Sequence, residues 1–294
     1  MRKISVSGYG YIERLGYDRS FELIGKAGFE AMDFPLYPEK NRLEFLTGEG
    51  FDRAFFANLK KNAAANGFSI GQTHAPFGYR EDDGSTLGDI LSIYERAAFA
   101  TAELGADKMV VHPIKFENCV GDYRREECFE LNLRLFEKLI PTLEKCGVTA
   151  LLENMFIKKT SGEFKKLYPT IYSSAAELAR AADALGPSFG VCLDSGHALI
   201  TKEDIPAAVR LLGDRLLALH LHDNTGDRDD HLIPYFGKVP FAETVAALKE
   251  IGYKGNVNFE VHFGNVPESH IPTVFSYIYE VGASFRRVLD GEEQ

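Results

Sequence analysis

The sequence predicts an α/β fold, a closed (β/α)8 barrel in which eight parallel strands alternate with helices. Short β-branched or apolar runs alternate with longer amphipathic segments from one end of the chain to the other. The 294 residues are close to the usual size of one such barrel, and no linker or low-complexity stretch divides them. We therefore expect a single domain over residues 1–294, with its ligand site at the C-terminal mouth of the strands.

The strands are predicted where short apolar runs end in a polar or turn-forming residue. They cover residues 4–8, 30–36, 69–74, 108–112, 148–153, 188–194, 216–222 and 256–260. Because helices separate them, these strands should form a parallel sheet with right-handed crossovers.

The helices are predicted where apolar residues recur at helical spacing. They cover residues 20–27, 51–66, 86–104, 123–145, 173–185, 202–212, 241–251 and 270–289. The segment 86–104 has the strongest amphipathic pattern, and Gly105 follows it as a helix-ending residue. Eight strand–helix units in a chain of this length favour a closed barrel over an open sheet.

The composition disfavours several classes of protein. The formal net charge of −10 argues against general affinity for nucleic acid or anionic membranes. No apolar run approaches the about 20 residues of a membrane-spanning helix, and the first residues contain no apolar signal core. The four cysteines form no CxxC pair. We therefore expect a cytoplasmic protein with free thiols and no membrane contact.

Metal-binding residue types stand at the carboxyl ends of the third to the eighth predicted strands. In chain order these residues are His74, His112, Glu153, Asp194, His220 and Glu260. The intervals between them are similar to the length of a strand–helix unit, so all six should line the same mouth of the barrel. A carboxylate directly after an apolar strand is costly to bury without a partner, and a divalent cation offsets that cost. The sequence therefore predicts a metal site at this mouth.

The stretch 216–231 contains the densest group of such residues. His220 and His222 are two apart in a strand and face the same side. A turn at Thr225 and Gly226 could bring Asp229 and His231 back over the strand end. Imidazoles and carboxylates together suit zinc or manganese.

The ordered set of strand ends resembles the xylose isomerase-like TIM barrels, which include sugar isomerases and epimerases and the endonuclease IV type of abasic-site nuclease (AP endonuclease family 2). The resemblance extends from about His74 to Glu260. In the sugar enzymes it implies one metal on Glu153, Asp194, His220 and Glu260. In the nuclease branch it implies three zinc ions on His74, His112, Glu153, Asp194, His197, His220, Asp229, His231 and Glu260. All nine residue types are present.

The isomerase or epimerase interpretation places a small sugar or sugar phosphate on the metal. By resemblance, Glu153 and Glu260 are the catalytic carboxylates that remove and return a proton next to the carbonyl. His74, His112, His197 and His231 would then orient substrate hydroxyls or act as further ligands, so that one to three ions are expected.

The nuclease interpretation is favoured by the complete ligand set and disfavoured by the acidic net charge. In addition, Tyr235 and Phe236 stand where the family usually has the first glycine and the glutamate of a Gly-Glu-Gly turn. The stretches after Glu153 and Asp194 match the nuclease only in part. We therefore favour a small carbohydrate substrate, with the zinc phosphodiesterase as the alternative. A non-enzymatic barrel with a structural metal needs only four closed ligands, fewer than are available here.

Several secondary assignments remain open from the sequence. His222 faces the same side as His220 and is the alternative ligand; we prefer His220 because the family's histidine usually stands three residues before an aspartate, here Asp223. The expected substrate-binding residues are His222, Tyr235, Phe236 and Arg80, since barrel loops build the substrate pocket. His262 is expected behind the ligands rather than among them. Glu30 and Asp33 either reach the mouth or pair with a basic residue. A homo-oligomer is expected by resemblance alone.

Overall fold

Eight parallel strands form the barrel in the computed structural model. The structure describes residues 2–36, 52–77, 86–115, 124–161 and 164–292, and for residues 160, 161, 164 and 165 it describes only the backbone. The barrel strands are β1 (Ile4–Ser7), β2 (Ala31–Pro35), β3 (Ser69–His74), β4 (Lys108–Val111), β5 (Thr149–Glu153), β8 (Phe189–Asp194), β9 (Leu216–His220) and β10 (Val257–Phe259). They pair in the order β10-β1-β2-β3-β4-β5-β8-β9. Two further strands, β6 (Phe156–Ser161) and β7 (Phe164–Pro169), form a separate antiparallel hairpin.

Leu221 closes the barrel between its last two strands. Its N–H donates to Asn258 O at 2.9 Å, and its carbonyl accepts from Glu260 N at 3.0 Å. These two bonds form a single parallel bridge, one residue beyond the end of β9. The predicted (β/α)8 barrel is therefore confirmed, and the closing contact lies directly beside two predicted site residues.

The helices cover the outside of the barrel. They are α1 (Tyr11–Lys26), α2 (Arg53–Ala65), α3 (Leu87–Leu104), α4 (Arg125–Cys146), α5 (Ala175–Leu185), α6 (Ser195–Ile200), α7 (Ile205–Leu212), α8 (Phe241–Glu250) and α9 (Ile271–Asp290). Good caps define several of their ends: the Thr86 side chain and Asp89 form a capping box at α3, and Gly105 ends that helix in the left-handed conformation. No helix within the described ranges is long and apolar enough to cross a membrane.

The predicted strand limits differ from the observed ones by at most two residues, but four features differ more. Helix α1 begins at Tyr11 rather than residue 20, and Gly16 (φ 75°) interrupts it. The short helix α6 and the β6–β7 hairpin were not predicted. The expectation of free thiols is wrong for Cys128, which is disulfide-bonded, whereas Cys146 and Cys192 are free.

Two apolar layers hold the structure together. The larger one lies between the strands and the helices. The smaller one fills the barrel interior and consists of Val110, Leu151, Cys192 and Ala218, all buried. Because side chains alternate across a strand, the residues two positions further along the same strands also point into the barrel. The inner layer therefore forms the floor on which the strand-end residues stand.

Helix α9 packs against the seam between the first and last strands at Gly282. A Cβ atom at this position would lie 2.7 Å from Ile4 Cγ2 and 2.9 Å from Phe259 Cε2. These distances are shorter than normal carbon–carbon contacts, so only glycine allows the helix to approach this closely.

We expect Gly282→Val to lower the free energy of unfolding by about 1–3 kcal/mol, because the added carbons overpack this contact. Urea unfolding followed by far-UV circular dichroism measures the loss. Ser276→Val, at an exposed position of the same helix, is the matched control and should change stability by less than about 0.5 kcal/mol. Equal losses in the two variants would contradict the close packing at Gly282.

Candidate metal centre

A ring of polar side chains stands directly above the apolar floor of the barrel. His112, Glu153, Asp194 and His220 each follow a floor residue by two positions, so each points into the barrel on the same face. All four are buried. The sequence placed these residues at strand ends, and the alternation of the strands turns them inward toward one another.

The ligand atoms of the predicted residues converge in three groups, each with its atoms within 4.8 Å of one another. The first cluster is His74, Glu153 and His220; the second cluster is Glu153, Asp194, His220 and Glu260; the third cluster is His197, His222, Asp229 and His231. His112 joins the first cluster, because its Nε2 lies 2.6 Å from Glu153 Oε2 and 3.1 Å from His74 Nε2. The structure therefore brings all nine candidate ligands to one mouth.

Main-chain carbonyls orient three of these histidines. Nδ1 of His74 lies 2.8 Å from the carbonyl oxygen of Ala75. Nδ1 of His197 lies 2.9 Å from that of Asn154, and Nδ1 of His231 lies 3.0 Å from that of Glu260. A carbonyl oxygen only accepts, so each Nδ1 must carry the proton and donate it. In the neutral form of each ring the lone pair is then on Nε2, which points into the cluster. This arrangement is typical of histidines that bind a metal.

A carboxylate orients His220 in the opposite sense. Its Nε2 donates to Asp33 Oδ2 at 2.9 Å, and Gln72 Nε2 donates to the same oxygen at 3.2 Å. The other ring nitrogen, Nδ1, faces Glu153 Oε1 at 2.8 Å and Glu260 Oε2 at 3.4 Å. This geometry favours His220 over His222 as the histidine of the second cluster, and it answers the open question about Asp33, which reaches the site. Glu30 instead pairs with Arg286 at 2.6 Å.

His222 belongs to the third cluster. Its Nε2 lies 2.9 and 3.0 Å from the two oxygens of Asp194, and its Nδ1 is buried without a hydrogen-bond partner. The ring packs against the backbone of Gly196, where a Cβ would lie 2.0 Å from His222 Cε1. Its ring also stacks on His231 with centroids 4.0 Å apart, and His231 stacks on His262 at 4.2 Å.

Local hydrogen bonds explain how His197, Asp229 and His231 reach the site. Asp194 caps helix α6 by accepting from His197 N at 2.6 Å, which directs His197 back over the strand. Asp223 accepts from Gly237 N and Val239 N and so anchors both ends of the loop that contains Asp229 and His231. Asp223 therefore supports the loop and is not in any of the three clusters.

The site carries an excess of negative charge. Within the described part of the chain, no lysine or arginine forms an ion pair with Glu153, Asp194 or Glu260. Burial alone would lower the pKa of His197, but the carboxylates of Asp194 and Asp229 outweigh it and raise that pKa to about 10. Burial also opposes protonation of His231, yet Asp229 and Glu260 raise its pKa to about 9. An environment that attracts protons this strongly also attracts a cation.

These residues fit a divalent metal ion. Oxygen and imidazole donors of the kind that zinc and manganese prefer are buried together, with Nε2 of His74 and Nε2 of His112 only 3.1 Å apart. Buried atoms without partners, His112 Nδ1 and Asp33 Oδ1 among them, lie in the same region. A cation would offset the cost of burying these carboxylates.

A cavity of about 360 Å³, the site cavity, opens above the clusters. It is lined by Tyr9, His74, Phe77, His112, Lys115, Glu153, Met155, Phe156, His197, Asp229, His231, Glu260 and His262. Sequence reasoning missed Tyr9, Phe77, Lys115, Met155 and Phe156, although each follows a predicted barrel strand by a few residues, and that position was an available signal. The cavity is large enough for a small polar molecule.

Three of the four expected substrate-binding residues, His222, Tyr235 and Phe236, are not among the lining residues. Tyr235 packs against Phe241 and Phe285 and is 57% exposed, and Phe236 packs against Tyr277 and is 65% exposed. Their positions do not support the prediction that they wall the pocket. Arg80 lies outside the described residues. His262, expected behind the ligands, does line the cavity, and its ring stacks against Tyr9 at 4.7 Å.

The chain resembles known proteins over most of its length. Residues 21–276 match the family model described as "Xylose isomerase-like TIM barrel". The uncharacterized protein y4fM of Sinorhizobium fredii is 29% identical over 160 residues, which are 54% of this chain and 48% of that protein. The D-psicose 3-epimerase of Enterocloster bolteae is 30% identical over 124 residues, 42% of this chain and 36% of that enzyme. The chain thus spans about half the length, or less, of these curated relatives.

Solved structures share the fold. The crystal structure of a D-tagatose 3-epimerase-like protein superimposes with a TM-score of 0.72 at 20% sequence identity and covers 99% of both chains. At this level of identity the likeness establishes the architecture.

We expect Asp33→Asn to weaken divalent-metal binding about 10- to 100-fold, because the carboxylate fixes the tautomer and orientation of His220. Titration of the chelator-stripped protein with Zn²⁺ or Mn²⁺ against a competing indicator dye measures the affinity. Glu30→Gln is the matched control. Glu30 precedes the same strand, but its carboxylate pairs with Arg286 away from the site, so the metal affinity of this variant should equal that of the wild type. Unchanged affinity in Asp33→Asn would show that Asp33 does not support the metal ligand.

Proposed function

Because the chain belongs to the family of xylose isomerase-like TIM barrels, we propose that it is a divalent-metal-dependent isomerase or epimerase of a small sugar or sugar phosphate. The observation that carries the proposal is the placement of Glu153 and Glu260. Both carboxylates line the site cavity, and both lie beside Nδ1 of His220. Two carboxylates at one substrate position are what a proton-transfer reaction requires.

The second cluster, Glu153, Asp194, His220 and Glu260, would hold the metal ion. When bound, zinc or manganese supplies Lewis-acid polarisation of a carbonyl and its neighbouring hydroxyl. The protein's own part is to fix the donors: Asp33 holds His220, and Asn154 holds Asp194 through a hydrogen bond from Asp194 N to Asn154 Oδ1 at 2.7 Å. Rigid donors of this kind keep the sugar in one orientation.

The proton steps fall to the two glutamates. One carboxylate removes the proton from the carbon next to the carbonyl, and the other returns a proton to complete the change at that or the adjacent carbon. His220 and His112 keep the pKa of Glu153 well below its ordinary value, even though burial opposes this, so Glu153 is ionised and able to accept a proton. Its two oxygens contact different histidines, Oε1 His220 and Oε2 His112.

The remaining cavity residues suit a polyhydroxylated substrate. Imidazoles of His74, His197 and His231 provide donors and acceptors for hydroxyl groups, while Phe77 and Met155 exclude water from one side. The relative named D-psicose 3-epimerase supports ketoses as the first substrate class to test. The acidic net charge is also consistent with a small substrate rather than a polyanion.

We expect Glu153→Gln to lower kcat by at least about 100-fold, since the amide cannot accept the proton. Turnover is measured by chromatography of a ketose panel that contains D-fructose, D-psicose, D-tagatose and D-fructose 6-phosphate. Glu144→Gln, the same change on an exposed face of α4, is the control and should keep wild-type activity. Thermal unfolding checks that both variants fold, and full activity in Glu153→Gln would refute its assigned role.

A second candidate function is a zinc phosphodiesterase of the endonuclease IV type. It is favoured by one observation: the nine candidate ligands, together with His222, form three adjoining clusters rather than one. Three ions held in this way would suit the cleavage of a phosphodiester. The net charge of −10 and the exposed Tyr235 and Phe236, in place of a glycine-rich turn, favour the sugar enzyme.

Counting metal separates these two candidates. For the sugar enzyme we expect about one tightly bound ion per chain, because the second cluster is its only required site. The measurement is elemental analysis of protein purified without chelators. About three ions per chain, together with incision of a duplex that contains an abasic site, would instead establish the phosphodiesterase.

A further inference from the structure

A second cavity of about 560 Å³, the hairpin cavity, adjoins the site cavity. Its lining residues are Phe156, Lys158, Leu167, Asp227, Arg228, Asp229 and Asp230. Phe156 and Asp229 line both cavities. The two cavities are therefore neighbours that meet at these two residues.

One face of the β6–β7 hairpin forms the first wall of the hairpin cavity. Lys158 pairs directly with Leu167 across the hairpin, and Phe156 is two residues before Lys158, so these side chains share one face. The intervening Ile157 faces the other way and is buried. Phe156 also packs edge-on against His197, with centroids 4.9 Å apart. The hairpin is thus attached to the candidate metal centre at the point where the two cavities meet.

The loop 227–230 forms the opposite wall. Asp223 anchors the larger loop around it, and Lys202 Nζ donates to Gly226 O at 2.8 Å just before the wall begins. Asp229 Oδ2 points toward His197 and His231, at 3.6 and 3.4 Å. Asp227 and Asp230, which lie in the same stretch 216–231, line the hairpin cavity.

The chemistry of these walls matches a neutral, hydroxyl-rich ligand. Lys158 and Arg228 provide N–H donors, and Asp227 and Asp230 provide acceptors, with Arg228 Nε 3.4 Å from Asp230 Oδ1. Positive and negative groups alternate closely, so a phosphate would meet carboxylates as well as cations. Phe156 and Leu167 add apolar surface for the C–H groups of a sugar ring. A purely apolar ligand would leave the charged groups without partners.

We propose that the hairpin cavity is a subsite for a second, neutral sugar unit attached to the reacting sugar. The substrate class is then a glycosylated ketose rather than a free monosaccharide or its phosphate. This inference rests on the proposed function for the reacting unit in the site cavity. It assigns substrate choice to the hairpin and to residues 227–230, which take no part in the proton transfer.

Binding and turnover of matched sugars test the subsite. The probes are D-fructose, D-fructose 6-phosphate and two glycosylated ketoses, isomaltulose and lactulose, added to the full-length protein loaded with Mn²⁺. Calorimetry gives dissociation constants, and chromatography gives kcat/KM. We expect at least one glycosylated ketose to bind about tenfold more tightly than D-fructose.

Filling the cavity should remove this preference. Leu167→Trp adds a large side chain to the hairpin wall, and we expect it to weaken binding of the glycosylated ketose about tenfold more than that of D-fructose. Leu211→Trp, at an exposed position on α7, is the matched control and should preserve the preference. If the tryptophan variant does not fold, Asp227→Ala is the substitute test. This change removes an exposed acceptor without adding bulk and should reduce the preference in the same direction.

The outcomes separate the subsite from the proposed function. Tighter binding of a glycosylated ketose that Leu167→Trp abolishes supports the subsite even if no sugar is turned over, in which case the proposed function alone fails. Turnover of D-fructose with no preference for either glycosylated ketose overturns the subsite and leaves the proposed function standing. Tightest binding of D-fructose 6-phosphate also overturns it, because the cavity would then select an anion.

Discussion

The structure depends on the burial of several carboxylates and imidazoles at the end of a parallel barrel. Glu153 and Asp194 are almost completely buried. They lie only two positions beyond the apolar floor residues Leu151 and Cys192. Burying such charges is costly unless they are paired. In the described part of the chain their partners are histidines rather than lysines or arginines. The site is therefore arranged to be completed by a cation.

The supporting contacts give this arrangement its precision. Main-chain carbonyls fix the Nδ1 atoms of His74, His197 and His231, and Asp33 fixes Nε2 of His220. Each contact leaves one ring nitrogen pointing inward. Since carbonyls of the strand ends and loops act as acceptors, the same backbone that builds the barrel also selects the tautomers at its mouth.

The loops differ in role from the strands. The strand ends supply Glu153, Glu260 and most of the other candidate ligands, whereas the β6–β7 hairpin and the loop anchored by Asp223 shape the space around them. This division is usual in barrels, where the strands give a rigid base and the loops give specificity. It is also consistent with an architecture shared with a D-tagatose 3-epimerase-like protein at only 20% sequence identity.

The sequence by itself determined the barrel, its strands to within two residues, and the set of candidate ligands, because strand periodicity and residue type are local properties. It placed His74, His112 and Glu260 at one mouth by counting strand–helix units. The tertiary structure alone decided which histidines contact Glu153, how Asp33 supports His220, and that Tyr235 and Phe236 do not line the site cavity. It also revealed the hairpin. Apart from the hairpin, whose strands are adjacent in the chain, these features depend on contacts between residues far apart in the chain, and local patterns carry no information about such contacts.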